Sequence, residues 1–142
     1  MPVYNAGMEL LLDNQLEQRF YDNALNTLNA CKPYKFTEIT TMDRVNGIYA
    51  LYNGDKEVVY IGSAKDIRNR WVHHRNRNGS ALMEKIIEEI GNENLSQFLE
   101  ECTIKYVHVS IGRSELEDHL INRFNPIYNN YRKRKRYGVD KK

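Results

Sequence analysis

From Met8 to Ala30 the apolar residues Leu12, Leu16, Phe20, Ala24 and Leu28 recur at every fourth position, with Asn, Asp, Gln and Glu between them. That period predicts an amphipathic helix packed on the body of the protein. Pro33 and the Thr-rich stretch 37–41 break the pattern and lead into a first strand, Gly47 to Tyr52. A second strand is expected over Glu57 to Ile61, with a hairpin turn at Asn53-Gly54-Asp55, because Asn and Gly tolerate positive φ. A second helix is expected from Asp66 to His74, with Ile67 and Trp71 one turn apart on its buried face. Ser80 is placed to cap a third helix, Ala81 to Ile90, whose Leu82, Ile86 and Ile90 form a stripe and which stops at Gly91-Asn92. A strand over Cys102 to Val109 and a last helix over Ser114 to Phe124, closed by Asn125-Pro126, complete the series. The order of elements around a small antiparallel hairpin reads as a compact α/β layer.

At 142 residues the chain is the size of one domain with appendages. Cys31 and Cys102 form no Cys-x-x-Cys pair, so neither a zinc knuckle nor a disulfide framework is suggested, and two isolated thiols suit a reducing cytoplasm. No apolar run approaches membrane-spanning length, and Met1-Pro2-Val3-Tyr4 lacks the basic start of a secretory signal, so no membrane contact is expected. Charge changes the picture at one place. Residues 130–142 hold seven bases (Arg132, Lys133, Arg134, Lys135, Arg136, Lys141, Lys142) against Asp140, in a chain whose total is only +2. Such a tail on a mildly acidic body suits capture of a polyanion, with Tyr131 and Tyr137 able to stack on bases; a solubilising terminus is the other reading.

The candidate chemistry gathers on the hairpin. Side chains alternate faces along a strand, so a two-residue turn or a four-residue loop puts Tyr49 and Tyr60 on one face, and a three-residue loop puts them on opposite faces. Arg70 and His74 are four apart on the second helix and share a face, as a cation and an imidazole serving one phosphate must. His73 and Arg68 fall elsewhere on that cylinder. Lys65, Arg75 and Arg77 extend the basic surface as backbone-contact candidates. Glu117 admits two readings: Ser114-Glu115-Leu116-Glu117 matches a capping box, yet its place beside the Leu116, Leu120 and Phe124 stripe also lets the carboxylate enter a cleft.

Together these residues resemble the GIY-YIG nuclease superfamily: Gly47-Ile48-Tyr49, ten intervening residues, Tyr60-Ile61-Gly62, Arg70 ten positions after Tyr60, then Glu117-x-x-Leu120-Ile121, Pro126 and Tyr128-Asn129. The segment Tyr60 to Trp71 is most similar to phage homing and restriction-type members, some of which also carry a histidine at the position of His74. Two departures stand out. Ser63 replaces a lysine of many excision-repair members, so its role is absent or falls to Lys65, and a downstream histidine of some homing enzymes has no counterpart near Gly79-Ser80.

The resemblance implies a fold class: a small three-stranded antiparallel sheet flanked by helices, with residues 1–46 a helical extension, 47–129 the nuclease-like domain and 130–142 the basic tail. It also implies hydrolysis of DNA phosphodiester bonds with one Mg²⁺ or Mn²⁺ per site on Glu117, in the cytoplasm of a bacterium or phage-infected host. Tyr49 would act as general base with Tyr60 and His74 assisting, Arg70 would stabilise the charge on phosphorus, and Asn129 would brace the site. A phenol with a pKa of about 10 is ionised only on the order of one part in a thousand at neutral pH, so Tyr49 needs help from its neighbours. A catalytically silent nucleic-acid-binding module of the same fold is the alternative. One site cuts one strand, so a double-strand break requires a homodimer or two successive events, and the Met8–Ala30 helix is a candidate for dimer contact or core packing. Truncation after Tyr131 is expected to weaken DNA binding and to flatten its salt dependence by up to ~0.9 in log-log slope per lost phosphate contact, read by titration across ionic strengths.

Overall fold

The computed structural model describes the backbone of residues 6–76 and 80–129, with side chains from residue 15 onward. A long helix α1 (Ala6–Ala30) precedes the sheet strands β1 (Gly47–Tyr52) and β2 (Val58–Ala64). Two helices follow, α2 (Ile67–Asn76) and α3 (Ala81–Ile90), then a short α4 (Leu95–Glu101), the strand β3 (Thr103–His108) and the helix α5 (Arg113–Phe124). The sheet is three-stranded and antiparallel in the order β2-β1-β3, flanked by helices as the sequence leads one to expect.

β1 lies in the centre, and its residues Gly47 to Leu51 are buried on both faces. Alternation along it therefore feeds two cores. Tyr49 and Leu51 join Phe36, Ile67, Trp71, Leu82 and Ile86 beneath α2 and α3. Ile48 and Ala50 join Ile61, Ala24, Leu28, Leu116 and Leu120 beneath α1 and α5. Each outer edge of the sheet is paired at one residue, where an exposed ladder would otherwise invite pairing with another chain. Tyr34 exchanges two backbone hydrogen bonds of 2.8 Å with Ile104 on β3. On β2 the Asn129 amide does the same work, accepting from Ile61 N–H at 2.8 Å and donating to its carbonyl at 2.9 Å.

The N-terminal stripe is only partly used. Ala24 and Leu28 are buried and Phe20 is half-buried, whereas Leu16 is 62% exposed. The cause is length: 25 helical residues run about 37 Å, nearly twice the roughly 20 Å of a six-residue strand, so the helix outruns the sheet it packs on. Three elements were not anticipated, one of them a 3-10 turn over Asn92–Asn94 that leads into α4. A 3-10 turn over Phe36–Thr41 buries Phe36 and Ile39 in the Thr-rich stretch, and α4 uses Leu95, Phe98 and Leu99, whose helical spacing could have been read. No helix of the described residues is long and apolar enough to cross a membrane.

Gly47 shows why the first motif residue is glycine. Its φ is ordinary, but a Cβ there would overlap the Val107 carbonyl oxygen and lie 3.1 Å from His108 Cα. The obstruction is backbone of β3, which cannot step aside without breaking the β1–β3 ladder. Gly47→Ala is expected to destabilise the protein by about 1–3 kcal/mol, the usual range for overpacking, measured as a lowered urea midpoint at constant m-value.

Candidate active site at the tyrosine pair

The loop joining β1 and β2 has five residues, 53–57, between the paired Tyr52 and Val58. An odd loop alone would put Tyr49 and Tyr60 on opposite faces. A bulge at Val59 intervenes, so that Leu51 pairs with Tyr60 and Tyr49 with Gly62, and the extra residue restores the shared face. The expected parity holds through a different register. The turn is held by the Asn53 side chain, which accepts from Asp55 N at 3.0 Å and Glu57 N at 2.9 Å. Positive φ falls at Lys56 (65°) rather than at Asn53 or Gly54.

Tyr49 lies directly over Gly62. A Cβ on Gly62 would sit 2.5 Å from Tyr49 Cζ and overlap its hydroxyl, so the missing side chain is the floor on which the ring rests. Tyr60 follows at a ring separation of 6.2 Å. The remaining walls come from α2, whose start is set by Asp66: its carboxylate accepts from Asn69 N at 2.9 Å and from Arg44 Nε at 3.0 Å, holding its pKa below the ordinary value. The helix then presents Trp71 edge-on to Tyr49 at 5.1 Å between ring centres, and His74 at 6.3 Å. His74 Nε2 is 3.4 Å from the Tyr49 hydroxyl, and its Nδ1 is 2.8 Å from Ser80 Oγ, the N-cap of α3. Arg70 is exposed, and its positive charge acts on Tyr49.

Glu117 arrives from the other side of the sheet. The capping-box reading does not describe it, because α5 begins at Arg113 behind Gly112, a residue in the left-handed region with no side-chain cap. Glu117 instead accepts a hydrogen bond of 2.7 Å from Ser63 Oγ. Ser63 follows Gly62 and so faces α5, while Tyr60 faces α2. The half-buried carboxylate therefore meets the tyrosines around β2 and not across an open cleft, but its charge still raises the proton affinity of Tyr49. Asn129 braces β2 at Ile61, between the two tyrosine-motif positions. Removing it would leave two backbone groups unpaired, at about 1–3 kcal/mol for each such buried group.

Burial dominates the electrostatics. It pushes the Tyr49 phenol far above its ordinary 10, and Tyr60 adds to this, while Arg70 pulls the other way. Burial likewise pushes His74 down to about 4, helped by the positive charges of Arg70 and His73. Both groups are neutral at pH 7 in the free domain. Tyr60 is the half-exposed ring of the pair, and Lys85 of α3 lies 5.9 Å from its centre. Lys85 went unnoticed in the sequence, as did the contacts of Ser63 with Glu117 and of Ser80, the expected cap of α3, with His74. Strand alternation could have pointed to Ser63, but only the fold brings α3 to Tyr60. Lys65 and Arg75 are exposed, and Arg77 and Arg132, Lys133, Arg134, Lys135 and Arg136 lie outside the described residues.

This three-stranded antiparallel sheet flanked by helices, with two close-packed motif glycines and a tyrosine pair beside α2, defines a small α/β domain. A family model for the GIY-YIG catalytic domain matches residues 45–132, and the chain belongs to that family. Among known proteins it is similar to UvrABC system protein C of Pseudothermotoga lettingae, at 38% identity over 85 residues, 58% of this chain and 14% of that protein. The same protein of Rickettsia akari is 30% identical over 88 residues, 58% of this chain and 11% of its own. That of Pseudoalteromonas atlantica is 26% identical over 83 residues, with 58% and 12% covered. The chain thus spans roughly an eighth of the length of the curated relatives it matches. The magnesium-bound GIY-YIG N-terminal endonuclease domain of UvrC from Thermotoga maritima aligns at TM-score 0.46 and 23% identity, covering 65% of this chain and 91% of that one.

The neutral His74 makes a stability prediction. Its folded pKa is depressed, so between the unfolded value of about 6.5 and the folded value of about 4 the unfolded chain binds more protons. Its contribution is present above pH 6.5 and is lost as pH falls toward 4, by at most about 3 kcal/mol. Urea unfolding at pH 7 and pH 4.5 should show a larger loss for the wild type than for His74→Gln.

Proposed function

We propose that this chain is a divalent-metal-dependent DNA endonuclease that hydrolyses phosphodiester bonds. One observation carries the reading: Tyr49, Tyr60, Arg70 and His74 converge on one side of β2 while Ser63 turns Glu117 toward the same strand from the other. Membership in the GIY-YIG catalytic domain family supports it.

Glu117 is the residue that would hold the cation. Its half-buried carboxylate has one oxygen engaged by Ser63, and a single carboxylate suits Mg²⁺ (or Mn²⁺), which keeps most of its waters. When bound, the metal supplies charge that neutralises the scissile phosphate and stabilises the leaving oxygen. Arg70 supplies the opposite flank, stabilising the equatorial oxygens as charge builds on phosphorus. Tyr49 is the base for the attacking water, and Tyr60, the more exposed ring, borders that water. The Tyr49 proton must leave against a strong burial penalty, which the positive charge of Arg70 opposes. Ser63 orients Glu117, and any role of the lysine that excision-repair members carry at this position is absent or falls to Lys65. Asn129 keeps β2, and with it Tyr60 and Gly62, in register. Lys65 and Arg75 serve as phosphate contacts, joined by Arg77 and the basic tail.

The nuclease unit is residues 47–129, with the N-terminal helix as an extension. The relatives found are UvrC proteins, so kinship with phage homing and restriction members rests on the Tyr60–Trp71 segment and His74. Double-strand cleavage would need a homodimer or two nicks, and the exposed Leu16 on α1 is the place to look for a dimer contact. The second reading, a silent nucleic-acid-binding module, draws on the closed environment of Tyr49, which is fully buried in the free domain.

Supercoiled plasmid incubated with Mg²⁺ should be nicked, and EDTA should stop it. Glu117→Ala and Arg70→Ala should each lower the rate by about a hundredfold or more, the size typical of losing a charge-stabilising group. DNA binding without cleavage, across several metals and pH values, would establish the silent module instead.

A further inference from the structure

The three residues before β1 tie together one end of the sheet. The Val45 carbonyl accepts from Ile67 N at 2.9 Å, where α2 begins, and Arg44 Nε donates to the Asp66 carboxylate at 3.0 Å. The Asn46 carbonyl accepts from Val109 N at 2.9 Å and from His108 Nδ1 at 2.8 Å, while its side chain accepts from Arg113, the first residue of α5. The starts of α2 and α5 therefore meet across residues 44–46, just beyond the place where Gly47 pairs with Ala64 on one side and His108 on the other. This end gathers Arg44, Arg68 and Arg113, three bases that no motif contains. The Arg44 side chain is 65% exposed, and Arg113 is half-buried. Arg68 is the second residue of α2, and its charge reaches Asp66.

The hairpin end of the sheet has the reverse character. Glu57 and Glu89 line one groove there, and Glu101 lies against Gly54, where an added Cβ would stand 3.2 Å from that of the glutamate. Asp55 is exposed in the turn itself, whose one base is Lys56. β1 runs roughly 20 Å over its six residues, and charges are screened over about 8 Å at physiological ionic strength, so the acidic end does little to cancel the basic one. Charge is thus polarised along the strands. The candidate chemistry lies toward the basic end: Ser63, which holds Glu117, is one residue from the Ala64 pair, and Gly62, beneath Tyr49, is two.

We propose that duplex DNA lies across the basic end of the sheet, with Arg44, Arg68 and Arg113 each contacting a backbone phosphate that flanks the one reacting at Tyr49. The place of the reacting phosphate rests on the nuclease reading, whereas the basic surface stands without it. The hydrogen bonds at this end orient the arginines without using up their charge. Arg113 is held by a neutral amide. Asp66 meets Arg44 through Nε and also accepts from Asn69 N, so one carboxylate stands against Arg44 and Arg68 together. A guanidinium presents a fork of donors that matches phosphate oxygens, and one already oriented loses less freedom on binding. The helix period that separates Arg68 from Arg70 and His74 turns it toward Asp66 and the sheet end.

Binding can be read without turnover. The full chain is titrated into a short fluorescein-labelled duplex in EDTA at several salt concentrations, and anisotropy gives the affinity at each. Arg44→Gln, Arg68→Gln and Arg113→Gln should each weaken binding and lower the log-log salt slope by ~0.9, the loss of one phosphate contact, and the triple variant by about three times that. Lys56→Gln, at the hairpin end, should leave the slope unchanged. Arg44→Lys and Arg113→Lys keep the charge and should retain the wild-type slope; losses as large as those of the glutamine variants would mean that these arginines serve only the fold, and would overturn the proposal. Wild-type slopes in two or more of the glutamine variants, an equal loss in Lys56→Gln, or a wild type that does not bind the duplex would overturn it as well. If the wild type binds DNA but does not nick it with Mg²⁺, the nuclease reading fails while the slopes still decide the surface.

Discussion

Everything at the site depends on the contact between an aromatic ring and the absence of a side chain. Tyr49 can lie flat against β2 only because Gly62 offers backbone there, and Gly62 is opposite Tyr49 only because Val59 is bulged out of the ladder. Shift the pairing by one residue and Tyr49 would meet the side chain of Ile61 or Ser63, with Tyr60 turned to the α5 face. Gly47 plays the matching part on β1, where the β3 backbone passes too close for any Cβ. The two glycines are demanded by close approach and not by unusual backbone angles, which is why both sit within regular strands.

Placing the tyrosine in the sheet centre has an electrostatic price. Trp71, Phe36 and the α2 backbone shut water out around Tyr49 and His74, and the same desolvation that stabilises the core holds both groups in their neutral forms. Arg70 opposes the burial penalty on Tyr49 from the exposed side of α2, while Glu117 reinforces it from behind β2. The separation of arginine and glutamate onto opposite faces of the sheet keeps them from neutralising one another as a simple ion pair. It also leaves Glu117 to be steadied by a neutral donor, Ser63, which orients the carboxylate without cancelling its charge.

Rigidity at the sheet edge completes the arrangement. β2 carries Tyr60, Gly62 and Ser63, and as an edge strand it has one side of its ladder open. The Asn129 amide closes that side at Ile61, in the middle of the three, using the same donor and acceptor pair that a neighbouring strand would offer. A side chain from the far end of the domain thus fixes the strand on which both halves of the site are built.

Much of this was legible in the amino-acid sequence by itself. Periodicity located α1, α3 and α5, alternation and turn residues located the hairpin, and motif spacing singled out Tyr49, Tyr60, Arg70, Glu117 and Asn129. These signals are local, because helix and strand periods act between residues a few positions apart. What the tertiary structure alone decided lies in contacts between distant segments: Ser63 with Glu117, Ser80 and His74 with Tyr49, and Asn129 with Ile61. The register belongs here too, since the bulge and five-residue loop that set it depend on how β1 and β2 pair. So does the protonation of Tyr49 and His74, which follows from burial by elements far away in the chain, a property that spacing along a sequence does not encode.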